Sequence, residues 1–94
     1  MNHKIGLTEP FEVPEKILMQ DLDGETVLLN LDNGHYYGLN EIGTDVWGLL
    51  AAGKTVEECI AALKADYEVQ ESVLQEDIVA LVSDLFQQGL VLKK

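Results

Sequence analysis

The apolar residues of this chain change their spacing at Asn40. Before it, Val27, Leu29 and Leu31 alternate with other residues, which is the period of a strand with one buried face. After it, apolar residues recur at the spacing of helices that bury one side. No linker separates the two patterns. We therefore expect an α+β fold in which strands and helices share one core.

The strand-like half predicts a three-stranded antiparallel meander. Residues 15–22 and 24–31 form its first two strands. Asp32–Gly34 supplies a turn between the second and third strands, because Asn and Gly tolerate positive φ. The third strand, residues 35–39, would lie at the edge of the sheet with one side open.

The start of the chain has no sustained apolar period. Residues 1–13 carry Gly6 and Pro10, so we expect a loose N-terminal arm. Residues 14–94 would then form a single domain, the usual number for a chain of this length. The apolar residues that could dock part of the arm are Ile5, Leu7, Phe11 and Val13.

Capping signals predict three helices after the strands. Asn40 suits the N-cap of the first helix, and Gly53 suits its end. Thr55 with Glu58 matches a capping box for the second helix. A third and longer helix would begin with a similar box, reach Gln88 and end at a left-handed glycine, before a short strand or packed tail. The residues of that helix's two ends are Ser72, Gln75 and Gly89.

The third predicted helix is apolar over a wide arc. Its core stripe contains Leu74, Ile78, Leu81 and Leu85. A flanking stripe contains Gln75, Val79, Val82 and Phe86. Two interpretations of the flanking stripe stay open: the sheet or the arm covers it, or it lines a groove beside the open strand edge.

Composition argues against several classes of function. The formal charge of −11 disfavours binding to phosphates, which relies on Lys and Arg, and favours basic or apolar partners or simple solubility. Cys59 is alone, and its neighbours at helical spacing are apolar, so it suits the core. His3 and His35 have no metal-ligand spacing, and no paired carboxylates or phosphate loops are evident. We expect a protein that is not an enzyme and needs no cofactor or metal.

The sequence shows no signal peptide and no apolar run long enough to cross a membrane, so we expect a cytoplasmic protein. Its strands and three helices suggest a winged helix-turn-helix shape, which many transcriptional regulators use to bind DNA. The third helix offers no Lys or Arg, which makes DNA binding electrostatically unfavourable.

An ordered set of motifs lies in "YYGLNEIGTDVWGLLAAGKTVEECIAAL", residues 36–63, and "EDIVALVSDLFQQGLV", residues 76–91. The members of the set are Leu39-Asn40, Trp47, Gly53, Thr55-Val56-Glu57-Glu58 and Gly89-Leu90. This set resembles the PqqD family, small proteins named for pyrroloquinoline quinone (PQQ) biosynthesis. Cys59 departs from the aliphatic residue usual at its position.

The resemblance implies a recognition element for ribosomally made, post-translationally modified peptides (RiPPs). Such a protein binds the leader of a precursor peptide and presents it to a modifying enzyme, often a radical SAM enzyme. The leader would add as a strand to the third β-strand. The residues predicted to pair through their backbone are His35, Tyr36, Tyr37, Gly38 and Leu39. The residues predicted to wall the cleft are Gln75, Val79, Val82 and Phe86.

Two other functions stay open at this point, a winged-helix transcriptional regulator and a general interaction or dimerisation domain that uses the same edge. The resemblance does not fix the precursor peptide, and it leaves PQQ synthesis as one pathway among several. We expect a monomer or a weak homodimer.

Overall fold

The structure, a computed structural model, describes residues 6–23 and 25–94. Its elements in chain order are β1 (Phe11–Glu12), β2 (Ile17–Leu22), β3 (Glu25–Asn30), β4 (Tyr36–Leu39), α1 (Glu41–Ala51), α2 (Val56–Leu63), α3 (Glu71–Gln87) and β5 (Leu92–Lys93). Strands β2, β3 and β4 form an antiparallel meander, and β1 pairs with β5 in a second, two-stranded sheet. The predicted α+β class, meander and three helices are confirmed.

The face of β3 that packs on the helices is the less apolar one. Leu28 is fully buried, with Thr26 and Asn30 on the same face. The Asn30 side chain accepts a hydrogen bond from the Asp32 N–H at 2.9 Å, which helps to offset the burial of its amide. Leu31, by contrast, is 55% exposed. The alternating residues Val27, Leu29 and Leu31 therefore lie on the outer face of the sheet, where their apolar side chains are partly exposed.

Four of the five helix-end signals predicted from the sequence are confirmed. The Asn40 side chain accepts from the Gly43 N–H at 2.8 Å, and both bonds of the capping box at α2 form. Gly53 and Gly89, with φ of 91° and 74°, follow α1 and α3 as left-handed residues. The predicted box at α3 is wrong, because Gln70 is the N-cap and makes no side-chain capping bond.

One core joins the strands and the helices, as the absence of a linker predicted. Leu28 and Leu39 of the sheet belong to the same buried cluster as side chains from all three helices. Cys59 lies in this core, and burial raises the pKa of its thiol to about 11, in keeping with a packing role. The largest fully buried side chains include Phe11, Leu28, Leu50, Leu74, Ile78 and Leu85.

The described part of the N-terminal arm is packed rather than loose. Phe11 is 1% exposed, and β1 pairs with β5 so that Phe11 lies opposite Lys93. The Leu7 carbonyl accepts from the Glu57 N–H at 2.8 Å, which ties the arm to α2. Because an apolar side chain of the arm fills part of the core, the boundary predicted at residue 14 falls inside a packed segment. Residues 1–5, including His3 and Ile5, lie outside the described residues.

None of the helices within residues 6–23 and 25–94 combines the length and apolarity needed to span a membrane.

Candidate functional site

Strand β4 has a neighbour on one side only. The sheet order is β2-β3-β4, so β4 and β2 are both edges among the described residues. Strand β4 follows a five-residue connection, residues 31–35, in which Gly34 has a φ of 74°. An edge strand carries backbone N–H and C=O groups that can pair with another chain.

The register shows which backbone groups of β4 face outward. The Asn30 N–H donates to the His35 carbonyl at 3.0 Å, so these two residues form a hydrogen-bonded pair. Such pairs alternate along an antiparallel ladder with pairs that exchange no bonds. Tyr37 and Leu39 therefore bond to their partners in β3, while Tyr36 and Gly38 direct their N–H and C=O away from it.

Only part of the predicted backbone set is thus directed outward. The His35 N–H donates to the Asn33 side chain at 2.9 Å and its carbonyl accepts from Asn30, so both of its groups are engaged. The backbone groups of Tyr37 and Leu39 bond to β3. Tyr36 and Gly38 together offer four backbone groups, and a Cβ built on Gly38 meets no atom within 4 Å.

A side-chain hydrogen bond ties the inner side of β4 to α3. The Tyr37 hydroxyl donates to Asp84 Oδ2 at 2.5 Å. Desolvation, followed by the bond to the Asp84 carboxylate, raises the pKa of Tyr37 to about 12. Gln88, one turn beyond Asp84, lines a small cavity of about 20 Å³ together with Tyr36 and Tyr37.

The stripe predicted to wall the cleft lies on a different side of α3. Phe86 stacks edge-to-face on Phe11, with ring centroids 6.4 Å apart, and Lys93 Nζ sits 5.3 Å from its ring centre. Phe86 follows Asp84 by two residues, and each residue of an α-helix turns by about 100°, so the two side chains point in nearly opposite directions. The N-terminal arm covers this side, which was the alternative interpretation of the stripe.

The other three members of that stripe are distributed between core and surface. Val82 is fully buried, whereas Leu81, which was predicted to belong to the core stripe, is half-buried. Val79 is half-buried, and Gln75 is exposed. A fully buried side chain reaches a bound peptide only if the core opens, so Val82 is better described as a core residue.

The side of α3 nearest β4 was not singled out from the sequence. Its residues follow one another at steps of four, three and four positions, which is helical spacing. Asp84 bonds to Tyr37, and the C-cap Gln88 lies beside Tyr36 and Tyr37; Asp77 and Leu81 share this side of the helix by their spacing. The periodicity was visible, but it does not tell which flank of the core stripe meets the sheet edge.

A row of apolar side chains crosses the outer face of the sheet and ends at the open edge. Leu18 pairs with Leu29, and Leu29 pairs with Tyr36, so the three point to the same side. Leu18 is 46% exposed and Tyr36 is 71% exposed. A strand added to β4 would extend this row by one more side chain.

No group of three His, Cys, Asp or Glu side chains within the described ranges is arranged to hold a metal ion.

Comparison with known proteins places this chain in a family. Residues 25–91 match the family of coenzyme PQQ synthesis protein D (PqqD), a segment that spans well over half of the chain and contains β3, β4 and all three helices. The chain belongs to the PqqD family. No curated protein gives a significant match to this PqqD-family chain.

Two solved structures share its fold. TbiB1 in complex with the TbiA(beta) leader peptide is 31% identical, with a TM-score of 0.78, and the match covers 85% of this PqqD-family chain and 93% of that chain. Lasso peptide synthetase B1 complexed with the leader peptide is 29% identical, with a TM-score of 0.80, and the match covers 87% and 96%. Both similarities extend over nearly the whole fold described above.

Proposed function

We propose that this PqqD-family protein is a non-catalytic adaptor that binds the leader of a ribosomally made precursor peptide by adding it as a strand to β4. The observation that carries the proposal is the open edge at Tyr36 and Gly38, in a fold whose two solved relatives are complexed with leader peptides. Family membership supports an adaptor rather than a regulator.

The binding mode is strand addition. The outward N–H and C=O groups of Tyr36 and Gly38 supply affinity that does not depend on the peptide's side chains. Gly38 has no side chain beside the edge, so a peptide backbone can approach closely there. The edge of β2 offers similar groups, but β4 alone has the Tyr37–Asp84 contact with α3 beside it.

Selectivity would come from the alternating side chains of the leader. Those on the outer face extend the row of Leu29 and Tyr36, which favours apolar or aromatic residues. Those on the inner face lie beside Tyr37 and point toward Asp84, which favours hydrogen-bond donors or basic residues. The net charge of −11 would speed the encounter with a basic leader, and added salt should slow that association.

The bound leader would be presented to a modifying enzyme. The family resemblance suggests a radical SAM enzyme, in PQQ synthesis or another RiPP pathway. The adaptor itself would need no cofactor, and we propose that it acts in the cytoplasm as a monomer or a weak homodimer.

The two alternative functions make different demands on the same surfaces. A winged-helix regulator needs basic residues on its recognition helix, and α3 contains none in Glu71–Gln87. A dimerisation domain would bury β4 against a second copy, so that the peptide and the second copy would compete for one edge.

Titration calorimetry with leader peptides from precursor genes adjacent to the gene for this chain tests the proposal. We expect one such leader to bind with one-to-one stoichiometry, while duplex DNA gives no heat and the solution mass stays that of a monomer at the working concentration. If none of the leaders binds, or if a stable dimer shields β4, the adaptor proposal fails.

A further inference from the structure

A second depression lies between α1 and α2. Its volume is about 380 Å³, and its lining residues come from α1, from α2 and from the turn after α2. It shares no lining residue with β4 or α3. A strand added to the β4 edge would therefore leave it open.

The groove has an apolar floor and a wide entrance. Leu49 of α1 is half-buried, and Leu63 of α2 is 3% exposed, so their side chains close its base. Gly48 and Ala62 lie on the two facing helices, and a Cβ added at Gly48 meets no atom within 4 Å. An apolar base below a polar rim suits the aliphatic stem of a long side chain.

The rim of the groove is strongly negative. Asp45 and Asp66 both line it, and the Tyr67 hydroxyl donates to Asp45 Oδ2 at 2.8 Å. The bond to Asp45 raises the pKa of Tyr67 to about 12, with smaller contributions from desolvation and from the Glu41 and Asp66 carboxylates.

No described residue offsets this charge by an ion pair. The ion pairs within residues 6–23 and 25–94 are Lys16–Asp32, Lys64–Glu71 and Lys93–Glu9, and none includes a carboxylate of the groove. Helix α2 ends at Leu63 with no basic residue in its last turn, so the negative end of its dipole lies beside the groove. Lys64, which follows, is directed to Glu71 at 3.3 Å.

We propose that the α1–α2 groove docks a lysine or arginine side chain presented by a protein partner other than the leader. The aliphatic stem of that side chain lies over Leu49 and Leu63, and its cationic end reaches the carboxylates of Asp45 and Asp66. The complementarity excludes an acidic surface, and a purely apolar one would desolvate the carboxylates without replacing their water.

This inference goes beyond leader binding and does not depend on it. The β4 edge recognises an extended backbone, whereas the groove recognises one basic side chain, so both can be occupied together. If the test of one site contradicts its proposal, the proposal for the other site still depends only on its own measurement.

The test is an amide NMR titration of the isotope-labelled full chain with n-butylguanidinium, a mimic of an arginine side chain, and with n-butanol as its neutral counterpart. We expect saturable shifts at Gly48, Ala62 and Asp66 with the cation and none that saturate with the alcohol. The double variant Asp45→Asn, Asp66→Asn should lose saturation. The matched variant Asp21→Asn, Glu76→Gln removes the same charge from exposed sites elsewhere and should keep it.

A blocking variant gives a second readout. Gly48→Met places a flexible side chain at the entrance and improves the helix propensity of α1, so the fold should be retained while the shift at Ala62 is lost. Shifts that rise linearly and spread over all exposed carboxylates would mean counter-ion condensation only and would overturn the proposal. Equal saturation by n-butanol would show that binding does not need a positive charge, and it would overturn the assignment of a basic side chain to the groove.

Discussion

The Tyr37 hydroxyl donates to Asp84 Oδ2 at 2.5 Å and joins β4 to α3 across 47 positions of sequence. The contact lies on the inner side of the edge strand, one residue from each of the outward-facing positions Tyr36 and Gly38. The strand edge and the helix are thereby held together. Side chains that a bound strand directs inward would meet this pair first.

Removal of the Tyr37 hydroxyl should lower stability by a modest amount. In Tyr37→Phe the half-buried Asp84 carboxylate loses its donor, and we expect a loss of about 1 kcal/mol in the free energy of unfolding. Urea unfolding measures it. Tyr36→Phe is the control, because Tyr36 is 71% exposed and should leave stability unchanged. Equal losses in both variants would mean that the contact adds nothing.

Stability should also fall in alkaline solution. The pKa of Tyr37 is about 12 in the folded chain, above the value of 10.0 for a free tyrosine, so the folded state holds this proton more tightly. Its contribution is complete below a pH of about 10 and is lost as the pH rises toward about 12. Tyr67 shifts in the same direction. Comparison of the wild type with Tyr37→Phe over this range isolates the Tyr37 part, and identical pH profiles would contradict it.

Phe86 should matter for stability and not for leader affinity. Its ring packs on Phe11 on the side of α3 turned away from β4, so Phe86→Ala should cost about 2–4 kcal/mol of unfolding free energy. Leader affinity, measured well below the melting temperature, should stay unchanged. Val73→Ala removes an exposed apolar side chain from the same helix and should have little effect on either. A loss of affinity without a loss of stability in Phe86→Ala would restore Phe86 to the cleft wall.

The open edge predicts a contrast between two proline variants. Gly38→Pro removes an outward N–H from β4 without breaking a bond to β3, and leader affinity should fall by about tenfold or more. Asp21→Pro makes the equivalent change on β2. The Leu31 N–H donates to the Lys16 carbonyl at 2.9 Å, and every second residue after Lys16 also bonds to β3, so the backbone groups of Asp21 face outward. Its leader affinity should be retained. The opposite pattern would move the binding edge to β2.

The elements and most of their ends followed from short stretches of sequence. Asn40 and the Thr55–Glu58 box each act through neighbours within one turn, so their capping bonds were predictable before any tertiary contact was known. The α3 box failed because Ser72 has the right spacing to Gln75 but already lies inside a helix that begins at Glu71. A capping pattern specifies a possible start, and the tertiary fold selects which start is used.

The site was harder to predict than the elements. Sequence placed the strand edge within residues 35–39, but only the register of β3 against β4 separates Tyr36 and Gly38 from their neighbours. On α3 both flanks of the core stripe carry apolar residues, and periodicity alone cannot tell which flank meets β4. Phe86 was the more prominent choice, yet the arm residue Phe11, distant in sequence, covers it.

Amide hydrogen exchange with and without a bound leader tests strand addition at β4 most directly. Leader binding should slow exchange at the outward amides of Tyr36 and Gly38, because each gains a backbone acceptor. Tyr37, which already bonds to β3, and Met19 and Asp21 on the opposite edge should change little. New protection at Met19 and Asp21, or unchanged exchange at Tyr36 and Gly38 in a saturated complex, would contradict binding at this edge.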